Sequence, residues 1–250
     1  MSTAAETVAG GLGVHPAIHP EDDIFRFILS MPSITDEDDA VRHYLLSGDE
    51  SAQKLSCLIT DTMATTNVSL LEFASGYGCV TRHLGNHLPE TEIVACDIHS
   101  AAVDFCESVL GVPAELSAHT PEELDLGRAF DVVFALSFFS HMPETTWRRW
   151  LRVLAAHTRA MGVLIFTTHG TESAKRIRNA VLDERGFWFA PASEQRDLAS
   201  EEYGTTVTSF DYVYRQLVAV GALSLVQFRQ AYWWGHQDLY VVRKNNAYPQ

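Results

Sequence analysis

The chain has 250 residues, 46% of them hydrophobic, and 18 basic side chains stand against 32 acidic ones for a formal charge of −14. That balance excludes a nucleic-acid footprint, which requires clustered Lys and Arg, and it disfavours anionic membrane surfaces. No stretch approaches the roughly 18–20 apolar residues that cross a bilayer, and the length suits one α/β unit with additions.

Met1 to Val14 are small and polar, with no basic segment leading into an apolar one. They predict a disordered tail, residues 1–19, rather than a signal peptide. Residues 20–66 predict an acidic N-terminal helical cap. Ile24, Phe25, Phe27, Ile28 and Leu29 give a first helix its apolar side, Asp36 to Leu46 forms a second, and Asp49 to Met63 a third. Ser33-Ile34-Thr35-Asp36 offers capping residues to the second helix.

From residue 67 the pattern changes. Strands are predicted near 68–74, 92–97, 112–116, 130–136 and 162–168, each followed by helical or loop sequence. That alternation calls for a parallel, doubly wound sheet with right-handed crossovers. Thr146 to His157 and Asp211 to Val220 read as helices, and Ser224–Tyr232 and Leu239–Arg243 as strands joined by the short link Trp233–Asp238, a closing antiparallel hairpin. Between the fifth strand and the last helix lies an insertion, residues 169–208. It holds a helical stretch, Ala174–Leu182, an aromatic group, Gly186-Phe187-Trp188-Phe189-Ala190-Pro191, and a polar stretch, Glu194–Thr206, with a turn at Tyr203-Gly204. Excursions of this length are commonly lids or binding loops. Phe187, Trp188 and Phe189 either stack on a substrate ring or pin the insertion to the core.

The densest chemical information lies in Leu70-Leu71-Glu72-Phe73-Ala74-Ser75-Gly76-Tyr77-Gly78. An apolar strand runs into two glycines and then into an amphipathic stretch, Val80–Leu88. Glycine there permits positive φ and a close approach of ligand to main chain, at a strand's carboxyl end and a helix N-terminus. The next strand, Glu92-Ile93-Val94-Ala95-Cys96, ends in Asp97, whose carboxylate can accept both hydroxyls of a ribose. A nicotinamide-binding turn needs a third glycine, and that position is Thr81. A nicotinamide oxidoreductase is therefore the weaker reading.

Glu72, Ala74, Gly76, Gly78 and the spaced Asp97 together resemble motif I of the class I S-adenosylmethionine-dependent methyltransferases, (D/E)-x-(A/G)-x-G-x-G. The resemblance spans about residues 40–170. Phe130-Asp131-Val132-Val133-Phe134-Ala135-Leu136 is similar to the family's fourth strand, Ser137–Met142 to the histidine-bearing loop after it, and Met161–Thr167 to the fifth strand, with Gly162 alone kept from the turn that introduces it. Where many members place an aspartate near the adenine, this chain has Ser117-Ala118-His119-Thr120. The resemblance implies an α/β, Rossmann-like doubly wound sheet of seven strands with an antiparallel last strand, plus N-terminal helices and a cap insertion, with residues 67–250 as the cofactor-binding methyltransferase domain.

It also implies S-adenosylmethionine as cofactor, its ammonium drawn to negative charge and its ribose held by Asp97. The implied cofactor-binding set is Tyr44, Glu72, Phe73, Ala74, Gly76, Gly78, Asp97, Ile98, His119, Thr120, Leu136 and Ser137. Tyr44 belongs to a stretch, Arg42–Gly48, that either approaches the methionine end of the cofactor or only packs a helix. The implied reaction is methyl transfer to a small-molecule or sugar acceptor, at oxygen because histidines are at hand and no N-P-P-Y motif follows the fourth strand. A small-molecule N-methyltransferase and a non-catalytic cofactor-binding regulator are the alternatives.

His141 is the leading candidate for a general base, with backbone scaffolding as its other reading, and His169 follows it. His83 and His87 stand four apart on a helix, yet no acid converges on them in sequence and they are expected to face solvent, so no metal is expected. Arg148, Arg149 and Arg152 are expected on a solvated helix face. Cys57, Cys79, Cys96 and Cys106 form no C-x-x-C pair, which predicts reduced thiols in a cytoplasmic protein. The expected partners are the acceptor and a second copy in a homodimer, with neither nucleic acid nor membrane.

Overall fold

The computed structural model describes residues 3–192, 195 and 198–246. Contacts divide the chain into two compact units, Met1–Ser117 and Ala118–Gln250.

The first unit opens with α1 (Thr3–Leu12), α2 (Asp23–Leu29) and α3 (Glu37–Met63). Residues 3–12, expected as an unstructured tail, are thus helical, and Ala5 and Ala9 bury themselves against a cluster that includes Val41, Tyr44 and Leu45. Two alanines one turn apart let helices approach closely but leave little apolar periodicity in the sequence. Asp36 caps α3, accepting from the Asp39 backbone N–H at 2.8 Å, and Glu37, Asp38 and Asp39 complement the positive helix end.

The two helices expected on either side of Ser47-Gly48 are one helix of 27 residues. Gly48 does not break it. A Cβ there would lie 2.1 Å from the Cys79 carbonyl oxygen, so the glycine serves close approach of α3 to the segment that follows the first strand.

That strand, β1 (Ser69–Phe73), is followed by α4 (Thr81–His87), β2 (Glu92–Asp97), α5 (Ser100–Phe105), a π-helical turn Cys106–Leu110 and β3 (Ala114–Leu116). β1 and β3 both pair in parallel with β2. The register sets Phe73 beside Cys96, so Ala74 and Asp97 leave the sheet at the same edge.

In the second unit a 3₁₀ turn at Pro121–Glu123 precedes β4 (Phe130–Ala135). A second such turn, Phe138–Ser140, leads to α6 (Glu144–Ala156) and β5 (Thr158–His169). β4 and β5 are parallel, with Ala135 beside Phe166. β5 is longer than expected because Met161-Gly162 lies within it. Met161 takes φ 66°, and a Cβ on Gly162 would meet the Asp131 carbonyl oxygen at 2.6 Å, so the register shift between Phe130 and Val132 is accommodated by a bare Cα.

The chain continues through α7 (Thr171–Ala174), β6 (Phe187–Ala190), β7 (Thr205–Thr208), α8 (Phe210–Val220), β8 (Leu223–Trp233) and β9 (Gln237–Lys244). β9 pairs antiparallel with both β5 and β8. The fold is thus the expected Rossmann-like α/β class, with its last strand antiparallel.

The insertion differs from its sequence reading. The helix expected over Ala174–Leu182 does not form: the single turn α7 ends at Ala174, and within it only Ser173 is buried. Val181 is exposed, so no apolar face exists to hold a longer helix. The aromatic group is a strand, β6, paired with β7. Of the polar stretch Glu194–Thr206, residues 194, 196 and 197 lie outside the described residues. Among the described residues, no helix is long and apolar enough to cross a membrane.

Candidate functional site

At the carboxyl edge of β1 the backbone turns through Ala74, Gly76 and Gly78, all at positive φ (58°, 55° and 76°). The Gly76 N–H donates to Asp97 Oδ2 at 2.8 Å, and the Ser75 N–H donates to the Cys96 carbonyl at 3.1 Å. Asp97 Oδ1 accepts from the His99 N–H at 3.0 Å and stands 2.9 Å from His99 Nδ1. Oδ2 retains an acceptor site beyond the Gly76 bond, whereas Oδ1 already faces both nitrogens of His99. The two glycines have different surroundings. A Cβ on Gly76 would meet nothing nearer than Ile24 Cδ1 at 3.9 Å, whereas one on Gly78 would lie 2.4 Å from Leu110 Cδ1. Gly76 faces space that a ligand can use; Gly78 lets the turn pack against the π-helical segment.

Glu72 is buried and accepts from Thr81 Oγ1 at 2.7 Å. Burial pushes its carboxyl up to about 7, against that hydrogen bond and helped by the nearby charge of Asp97. Thr81, in sequence only a missing glycine, is therefore the partner of the motif's acid. Phe73 is buried, and Ile98 is half-buried beside Asp97.

Arg82 was not found by sequence reasoning. Its buried guanidinium donates to the carbonyls of Gly78 at 2.9 Å, His15 at 3.0 Å, Ala17 at 2.7 Å and Tyr77 at 3.3 Å. It lies over the Tyr44 ring at 5.2 Å and reaches the Tyr44 hydroxyl at 3.4 Å. Tyr44 is fully buried and donates that hydroxyl to Asp22 Oδ2 at 2.6 Å, so the structure places it in the support of the glycine turn. His19 stacks on Tyr77 with centroids 4.3 Å apart. The signal available in sequence was an arginine in the first turn after the glycines, where a buried cation needs several carbonyls around it.

His83 and His87 are not both turned to solvent. His83 is fully buried, and Asp49, on α3, lies 2.8 Å from His87 Nε2 and 3.6 Å from His83 Nδ1. An acid therefore does converge on the pair. Burial lowers His83 to about 4, which keeps its ring neutral.

In the second unit Leu136 and Ser137 follow β4. Ser137, at φ 61°, donates its N–H to Thr167 Oγ1 at 2.8 Å. Thr167 donates to Gln237 Oε1 at 2.6 Å, and Gln237 Nε2 donates to Ser137 Oγ at 2.8 Å. This closed ring fixes the end of β4 against β5 and β9. Gln237, expected within the link between the last two strands, is a buried residue of β9. His119 is exposed and Thr120 half-buried, just ahead of the first 3₁₀ turn. Arg149 forks onto Glu122, and Arg148 donates to Gln216.

His141 closes the second 3₁₀ turn. Its Nδ1 lies 2.8 Å from the Gly204 carbonyl, and its ring stacks on Tyr203 at 4.5 Å and 6°. The His169 ring is 6.1 Å from it, with His236 5.8 Å further on. Burial, then its two imidazole neighbours, push His169 down to about 3, which makes it a weak base.

A methyltransferase-domain family model matches residues 71–164. The chain is 25% identical over 155 residues to a malonyl-[acyl-carrier protein] O-methyltransferase of Bacillus anthracis, covering 59% of this chain and 51% of that protein. It is 32% identical over 80 residues to a ubiquinone biosynthesis O-methyltransferase of Paramagnetospirillum magneticum, covering 32% of each. The chain thus spans about half the length of the first of these curated relatives and a third of the second. Among solved structures, an amino pentose methyltransferase from Micromonospora echinaspora aligns with a TM-score of 0.58 at 14% identity, over 79% of this chain and 92% of that one. A magnesium protoporphyrin IX methyltransferase from Synechocystis aligns at 0.59 and 12% identity, over 89% and 94%. At such identities the likeness is one of fold.

Proposed function

We propose that the chain, whose residues 71–164 match a methyltransferase-domain family model, is a class I S-adenosylmethionine-dependent methyltransferase that methylates a small-molecule or sugar acceptor at oxygen. The observation that carries the reading is the Gly76–Asp97 pair: a turn open to a ligand, tied to a strand-end carboxylate with acceptor capacity left. In this reading Asp97 holds the ribose hydroxyls and Gly76 leaves room for the cofactor against the main chain. Glu72 supplies negative charge toward its ammonium, and Phe73, Ala74, Gly78 and Ile98 shape the same edge. His119, Thr120, Leu136 and Ser137 complete the proposed cofactor set.

When bound, S-adenosylmethionine supplies a sulfonium methyl that a nucleophile displaces in line, leaving a neutral thioether. The chain's own work is to orient the acceptor, exclude water and take the acceptor's proton. We assign the proton to His141, because its partner His169 is too weak a base. The insertion, residues 169–208, is the acceptor-specific part of the proposal, and separate reduced thiols suit a cytoplasmic setting.

The relatives named as O-methyltransferases favour oxygen, while a glycopeptide N-methyltransferase among the structural neighbours keeps nitrogen as the second reading. A cofactor-consumption screen against alcohols, phenols, sugars and amines tests both. Turnover with hydroxyl compounds supports the proposal, turnover with amines alone replaces it by N-methylation, and tight cofactor binding with no turnover on any class points to the non-catalytic reading.

A further inference from the structure

His141 meets the insertion through Gly204 in two directions. The Gly204 N–H donates to the His141 carbonyl at 2.9 Å, and the Gly204 carbonyl faces His141 Nδ1 at 2.8 Å. A carbonyl oxygen only accepts, so Nδ1 must carry the proton, and the neutral ring then carries its lone pair on Nε2. Tyr203, the residue before, lies parallel to the imidazole at 4.5 Å, which fixes the ring plane. Thr206, at the start of the buried part of β7, donates its hydroxyl to the Met142 carbonyl at 2.6 Å. Gly204 itself has no room for a side chain, since a Cβ would meet the Ala190 carbonyl oxygen at 2.3 Å and the Phe189 ring at 2.6 Å. Tyr203, Gly204 and Thr206 thus bind the insertion to the two residues His141 and Met142.

From this geometry we infer that Tyr203 and Gly204 are positioning residues, through which the insertion selects Nε2 of His141 as the proton-accepting atom. The inference rests on the reading of His141 as general base. As the acceptor O–H bond breaks, its proton moves to Nε2 and its electron pair stays on the oxygen, which would bond the methyl carbon while the carbon–sulfur pair leaves with the neutral thioether. The resulting imidazolium is stabilised by the Nδ1–H already held on the Gly204 carbonyl, and the proton later passes to water. The insertion so bears on reactivity as well as on acceptor fit.

The test needs no acceptor. In ¹⁵N-labelled protein, two-bond ¹H–¹⁵N correlation of the imidazole rings reads the tautomer of each neutral histidine, with the His141 signals identified by their loss in His141→Gln. The expected result is a pure Nδ1–H pattern for His141 in the wild type and in Tyr203→Phe, which keeps the stack. Tyr203→Ala, verified as folded by circular dichroism, should lose the pure pattern and show exchange between tautomers. An Nε2–H or averaged pattern in the wild type overturns the proposal. An unchanged pattern in folded Tyr203→Ala removes Tyr203 from it, and Thr206→Val then reads the hairpin tether on the same signals, with an unchanged pattern there overturning the insertion's role. Failure of the acceptor screen refutes the methyl-transfer reading while leaving the tautomer result standing, so the two failures are distinguishable.

Discussion

Gly76 donates its backbone N–H to Asp97 Oδ2 at 2.8 Å, so the turn after β1 and the acid at the end of β2 form one unit although 21 residues separate them. The carboxylate orients the loop and is itself oriented by it, which leaves its outer lone pairs aimed by the backbone rather than by a flexible rotamer.

Asp97→Ala should therefore act twice. It should weaken binding of S-adenosylhomocysteine by about 1.5–3 kcal/mol, the scale of hydrogen bonds to a charged group, and it should lower the melting temperature because the Gly76 N–H loses its partner. Asp97→Asn, which keeps one acceptor oxygen, should fall between. Titration calorimetry that finds unchanged affinity in the folded alanine variant removes Asp97 from the site.

The two glycines should respond differently. Gly76→Ala should cost about 1 kcal/mol from its left-handed φ, and Gly76→Val should abolish cofactor binding while the protein still unfolds cooperatively. Gly78→Ala should destabilise far more, because its Cβ collides with Leu110, and Leu110→Ala should recover part of that loss. Denaturant melts of the two alanine variants with equal midpoints would refute this division of labour.

Much of this was legible in sequence, and the limits have physical causes. The strand ends near Phe73 and at Asp97 followed from apolar runs stopped by glycine and acid. The span of α3 did not, because Gly48 is read locally as a breaker, whereas its use against the Cys79 carbonyl is a tertiary contact. The helix α1 was hidden because Ala5 and Ala9 bury little area each. The Ser137–Thr167–Gln237 ring joins residues 30 to 100 positions apart, a separation at which one sequence carries no pairing signal. Arg82 was passed over because a lone arginine is normally solvated, and only the converging carbonyls of His15, Ala17, Tyr77 and Gly78 give it a buried place.

Glu72 predicts a pH dependence. Its carboxyl is raised from 4.5 to about 7 in the folded protein, so the stabilising preference for the protonated form is complete below about 4.5 and is lost as pH rises through about 7. A cationic cofactor favours the ionised form. Affinity for S-adenosylmethionine should thus rise by up to about tenfold per pH unit below 7 and level off above it, with proton release on binding. Glu72→Gln should flatten the profile and raise the stability of the ligand-free protein at pH 8 more than at pH 5. Calorimetry in buffers of different ionisation enthalpy reads the released proton, and its absence in the wild type would count against Glu72.

Arg82 should hold the N-terminal segment onto the glycine turn. Its guanidinium donates to carbonyls on both, His15 and Ala17 on one side, Tyr77 and Gly78 on the other, and its charge faces the buried Asp22–Tyr44 pair. Arg82→Met keeps most of the side-chain volume but leaves four carbonyls and an acid without their cation, a loss of about 3–5 kcal/mol by analogy with buried pairs broken from one side. The variant should also expose residues near 15–20 to protease well before global unfolding, because the ring contacts of His19 with Tyr77 and Phe105 and the packing of Ala17 and Ile18 do not satisfy the carbonyls that the guanidinium held. Cofactor affinity should fall with it, since Gly78 and Tyr77 then lose a common anchor. Limited proteolysis followed by mass analysis locates the first cut. A first cut elsewhere, or none at protease levels that leave the wild type intact, would show that the segment is held by other means.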